Sequence, residues 1–172
     1  MADTLAMELK TSLTWLFQDT TDLATISDSS KLEYAKSFSD GVTDGQADKL
    51  WHDQRAVAAG ANDDLDLTDL SQTLFGGSFA ISLAKVKAIL IVNVSAIAGE
   101  DLLVGAAASN AWGGPFDGSQ TARVSVPADS ALLLLNKHDG WAVTNSSADI
   151  LRIANDGVGA ITYKIVIVGT SS

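Results

Sequence analysis

Chemistry in this chain would have to come from carboxylates, two histidines and a few glycine pairs, because cysteine is absent. That absence removes disulfides, thiolate metal sites and cysteine nucleophiles together. The densest acidic group is Asn62, Asp63, Asp64, Asp66 and Asp69, oxygen ligands of the kind calcium takes. It lacks the glycine and the closing glutamate of an EF-hand loop, so solvated turn residues are the expectation and no metal is assigned. His52 beside Asp53 suggests acid–base work, since imidazole titrates near neutrality. Adjacent residues on a strand or helix point in different directions, however, and no serine or second histidine stands in a nucleophile motif. His138 sits in NKHDG at 136–140, which reads as an exposed turn. Gly76-Gly77 and Gly113-Gly114 resemble phosphate cradles only superficially. Neither is followed by a Lys-Ser/Thr pair or a helix signal, and hairpin chemistry explains both. The expectation is no catalytic residue, no cofactor and no metal.

Aromatic side chains are the better candidates for function. Trp112 and Phe116 lie in the most turn-rich loop, NAWGGPFDGS at 110–119, and Trp15, Phe17 and Trp51 lie in the N-terminal part. Aromatic anchors are enriched at interfaces, so these five are the candidate contact residues. Capping of one end of a sandwich is an equal reading for Trp112. An arm with Trp15 exposed would be costly unless it packs on a neighbouring subunit.

The elements that must position these residues are mostly strands. AKVKAILIVNV at 84–94 has an unbroken apolar, β-branched centre and reads as a central strand buried on both faces. After it come short apolar runs at 102–107, 122–126, 130–135, 141–144, 149–153 and 160–168, with turn signals every 8–12 residues. In the last run Ile161, Tyr163, Ile165 and Ile167 share a face. Residues 74–81 read as a tight hairpin around Gly76-Gly77. The fold class is therefore all-β, an antiparallel β-sandwich or jelly-roll-like body. The first half is less regular. Residues 5–17 fit helix and strand spacing alike, and the Thr and Trp content favours strand. Residues 19–30 read as a polar loop and 31–38 as a half-buried strand. Residues 47–59 read as a short helix capped by Asp44, with Leu50, Trp51 and Val57 inward. An N-terminal arm over 1–40 and a body over 41–172 follow.

Whole-chain numbers bound the partners. The 172 residues fit one domain, or one domain with an arm, and 47% apolar content is ample for a core. Net charge is −10, and the first 70 residues carry 14 acids against 5 bases while the rest is nearly neutral. An acidic chain repels phosphate backbones, so nucleic acid is not an expected partner. No apolar run approaches the roughly 18 residues of a membrane helix, and no signal peptide opens the sequence, so no membrane is expected.

Four stretches carry a resemblance: GQADKLWHDQRAVAAGANDDLDL at 45–67, AKVKAILIVN at 84–93, LLVGAAASNAW at 102–112 and DILRIANDGVGAITYKIVIVGTS at 149–171. Together they resemble small head-decoration or tail-associated structural proteins of tailed bacteriophages, over roughly residues 31–172. The resemblance implies a virion protein without catalytic chemistry, and it supplies no catalytic residues. It points first to a capsid decoration (cement) protein on the capsid surface, a homotrimer touching the major capsid protein. The alternative is a tail or head-fibre module that binds a host receptor or glycan and so exposes Trp112 and Phe116.

Overall fold

The computed structural model describes residues 4–74 and 76–172, and among them there is no α-helix. The chain is all-β and sandwich-like, built from several antiparallel sheets. Its centre is β7 (Lys85–Asn93), flanked by β13 (Ile161–Thr170) and β10 (Ala131–Leu135), with β3 (Lys49–Val57) on the far side of β13. The short β11 (Trp141–Ala142) continues the edge beside β7. A second sheet runs β4 (Asn62–Asp66), β12 (Ile150–Asn155), β8 (Leu102–Gly105) and β9 (Arg123–Val126). A separate hairpin joins β5 (Leu70–Leu74) to β6 (Gly77–Ile81), its turn passing through Gly76 at φ 81°. Phe75, placed in that hairpin by the sequence, lies outside the described residues.

The two main sheets face each other because each strand offers one apolar side. Ile161, Tyr163, Ile165 and Ile167 are all buried, as their alternation requires, and they meet Ile89, Ile91 and Trp51 in one layer. Leu65, Leu102, Val104, Leu151 and Ile153 close the layer from the second sheet. Each such side chain contributes about 1.5–3 kcal/mol when fully buried. The expectation of two buried faces for β7 needs correction. Its inner face is sealed, and on its outer face Ala88 is covered, but Leu90 stays 37% exposed. Among the described residues no third layer lies over that part of the sheet.

Three local readings of the first half also change. Residues 47–59 are not a helix, because β3 pairs with β13 over nine residues from Val57↔Ile161 to Lys49↔Gly169. Trp51 and Val57, six residues apart, satisfy a period of two, whereas Leu50 and Val57, seven apart, suit a helix, and the tertiary pairing decides. Asp44 caps nothing there; its carboxylate meets the His138 ring at 2.8 Å. Residues 19–30 are not a loop: β1 (Met7–Thr20) and β2 (Thr25–Phe38) form one hairpin of 14 residues per strand, and only residues 21–24 turn. Thr21 closes that turn, donating from its amide and its hydroxyl to the Ala24 carbonyl. Residues 31–38 are indeed strand, but exposed rather than half-buried, with Phe38 the first side chain to enter the body.

Candidate interaction surface

The β1–β2 ribbon is the feature around which a site can be built. Antiparallel partners put their side chains on the same face. Met7/Phe38, Leu9/Lys36, Thr11/Tyr34, Leu13/Leu32, Trp15/Ser30, Phe17/Asp28 and Asp19/Ile26 share one face. The opposite face carries Glu8, Lys10, Ser12, Glu33, Thr14, Lys31, Gln18 and small hydroxyls, with Leu16 the large apolar exception. Glu8–Lys10 and Lys31–Glu33 form ion pairs along that polar face, at 2.9 and 2.7 Å. The ribbon is thus amphipathic with a strand period, although it covers no core of its own.

Its base shows what the apolar face does when it has a partner. Leu5, Met7, Leu9 and Phe38 pack with Ala47 onto Ala88, Leu135, Val166 and Val168, the outer side of the body sheet. The ribbon's exit is fixed by a loop in which Ala47 donates to the Ser39 carbonyl and Leu5 to the Asp40 carboxylate. Gln46 tightens the same loop by accepting from the amide and hydroxyl of Thr43. Beyond the base the same face is bare. Leu13, Phe17, Ile26 and Leu32 are each 65–71% exposed, and Leu23 at the turn is 99% exposed. The Lys36 ammonium over the Tyr34 ring, at 5.2 Å, is the last local cover. An isolated two-stranded hairpin is marginal in water, and a bare apolar face of this size makes it less stable still.

The sheet leaves a second apolar surface beside that base. In register, His52, Val166, Leu90 and Leu133 form one row across the outer face, and Gln54, Lys164, Val92 and Ala131 the next. Leu50, Leu90 and Leu133 are exposed.

Of the five aromatic candidates, Trp15 and Phe17 lie on the bare face of the ribbon. Trp51 and Trp112 do not reach a surface: they are 2% and 1% exposed, within the chain's own core. The Trp51 indole donates to the Ser71 carbonyl and the Trp112 indole to the Ala142 carbonyl. Trp112 meets Trp141 edge-on at 6.3 Å, and Gly114 lies so close that a Cβ there would touch both residues. Gly113-Gly114 therefore fits a loop onto a buried indole and forms no strand-joining turn. Phe116 is half-buried in a short 3-10 turn (Gly114–Phe116), its ring near Gly105. Sequence reasoning missed Leu13, Leu32, Tyr34 and Ile26 as contact residues. Joining the alternations on either side of TTDLA would have found them.

The candidate chemical groups are taken up by structure. Asp63 accepts from Arg55 Nε at 2.5 Å, Arg55 Nη2 at 3.0 Å and the Tyr163 hydroxyl at 2.8 Å, tying the two sheets at one end. Asp64 takes both arms of Arg152 at 2.7 Å, and Asp66 accepts from Thr68. Among the described residues no three His, Asp or Glu side chains are gathered to hold a metal. A shallow cavity lies between Asp53 and Asp63, but His52 does not line it. Lys87, buried under the 136–140 turn, donates to the carbonyls of Lys137 and His138; burial pushes its ammonium pKa down.

Burial, and next the charge of Asp63, pushes the Tyr163 phenol well above its ordinary value. Below pH about 10 the phenol is neutral in both states. Above it, the unfolded chain releases a proton that the folded chain keeps, so stability falls as pH rises. Tyr163→Phe should remove up to about 1.4 kcal/mol per pH unit of that loss between pH 10 and 11. Urea titrations of both proteins at pH 8, 10 and 11 measure it, and equal slopes would contradict the burial of an unionised phenol.

Compared with known proteins, the chain matches no protein-family model and no curated sequence.

Proposed function

We propose that this chain is a non-enzymatic virion structural protein, a capsid decoration protein that binds the outer shell and bridges capsomers. The observation that carries the reading is the amphipathic ribbon, whose apolar face is seated at its base and bare along the rest. Such an element is marginal by itself and gains stability from a partner, so the protein works by adding contact area. Its resemblance to phage head and tail structural proteins over residues 31–172 directs that assembly to a virion. The acidic charge argues against contact with packaged DNA and for protein surfaces, the major capsid protein first. Added interface area on a shell resists internal pressure without chemistry.

Mass spectrometry of separated heads and tails from any virus-like particles made by the source of the chain tests this reading. The protein should be found in heads, in fixed ratio to the major capsid protein, and purified protein should rebind stripped heads saturably. Its absence from heads would overturn the proposal, and its presence in tails alone would favour a fibre module. The glycan-binding form of that alternative loses its main support, because Trp112 is buried.

A further inference from the structure

We propose that the bare apolar face of the ribbon docks on the outer face of the β10-β7-β13-β3 sheet of a second copy. Each copy then donates one arm and receives one. This deepens the contact-area reading and rests on that part of it alone, not on the shell.

Two surfaces of the same chain are left uncovered. One is the ribbon face carrying Leu13, Leu32, Trp15, Phe17 and Ile26, and the other is the sheet face around Leu50, Leu90 and Leu133. Docking arm on sheet covers both at once. Packing arm against arm would leave the sheet bare. The mode of contact already exists within the chain, where Met7, Leu9 and Phe38 sit on Ala88, Leu135 and Val168. A neighbour's arm would continue that layer across the adjacent rows.

Charge agrees with this choice of occupant. The outer part of the ribbon's apolar face carries Asp28 and Asp19. The outer face of the four strands carries Lys164 and no carboxylate. Two arms laid face to face in parallel would instead bring those aspartates together. Reach is sufficient. About ten residues of each ribbon strand extend past the base, giving roughly 33 Å, while four strands span about 19 Å. A ribbon face about 10 Å wide over the roughly 19 Å of sheet it crosses, covered together with the surface it meets and counted for two exchanged arms, removes on the order of 800 Å² from water. That is the size of a small, transient interface.

The chain contains no cysteine, which makes cross-linking clean. Leu13→Cys and Phe17→Cys are each mixed with Leu90→Cys or Leu133→Cys and treated with a short bismaleimide. Dimers should form in the mixtures and not from any variant alone. In parallel, sedimentation at about 10 μM should show wild-type oligomer. Leu13→Asp/Leu32→Asp should associate about 100-fold or more weakly, since burial of two leucines is lost. Leu16→Asp, on the opposite face, should associate like wild type. A monomeric wild type, no mixed product, self-linking of an arm variant, or equal weakening by Leu16→Asp would each overturn the proposal. No shell is present in these assays, so they fail or succeed separately from the virion reading.

Discussion

Trp112→Ala should unfold the body about 12 °C below wild type, a loss of about 4 kcal/mol at fixed protein concentration. The indole is 1% exposed, holds its N–H on the Ala142 carbonyl at 2.8 Å and packs edge-on against Trp141. Alanine would leave a cavity that Gly113 and Gly114 cannot fill, and would leave the Ala142 carbonyl without that donor. Trp112→Phe should cost much less, because the ring volume mostly remains and only the indole hydrogen bond is lost. Thermal unfolding followed by far-UV circular dichroism measures both. An unchanged midpoint for Trp112→Ala would mean the indole is a surface group after all.

Gly169→Ala should cost about 3 kcal/mol, or about 10 °C, for the opposite reason. The register between β13 and β7 shifts between Val168 and Gly169. A Cβ at Gly169 would sit 2.1 Å from the Lys85 carbonyl oxygen and 2.9 Å from Leu83 Cδ2. A backbone oxygen cannot rotate away as a flexible side chain can, so the bulge must open. The hydrogen bond that the Ala84 amide donates to the Thr170 carbonyl and the buried Leu83 lie next to it. Loss of exchange protection in β13 and β7 would locate the damage, and wild-type stability would show that the strands can part there freely.

How legible this was in the sequence depended on how local each signal is. Alternation in ITYKIVIV and the apolar centre of β7 report burial directly, and the second half reads as strands because each carries its own pattern. Residues 47–59 misread as helix because Leu50 and Val57 suit a helical period while Trp51 and Val57 suit a period of two, and only nine pairs with a strand more than a hundred residues later decide between them. Residues 19–30 misread as a loop because Ser, Thr and Asp favour turns singly. Their strand is imposed by the partner strand, and all of them are exposed. Among the aromatic candidates, composition could not separate Phe17, which is bare, from Trp112, which is sealed. That difference lies in what covers each ring. The apolar ribbon face was visible in halves, Leu13, Trp15 and Phe17 on one side and Leu32 and Tyr34 on the other. Only the hairpin register makes them one surface.

Hydrogen exchange of the amides in residues 11–18 and 27–34 tests the ribbon's role most directly. If the ribbon is an interface closed by another copy, these amides exchange at least about 100-fold more slowly than an unstructured chain at concentrations where the oligomer forms. That protection disappears in Leu13→Asp/Leu32→Asp while the body strands stay protected. Arm amides exchanging at the unstructured rate in the wild-type protein, beside a protected body, would contradict it.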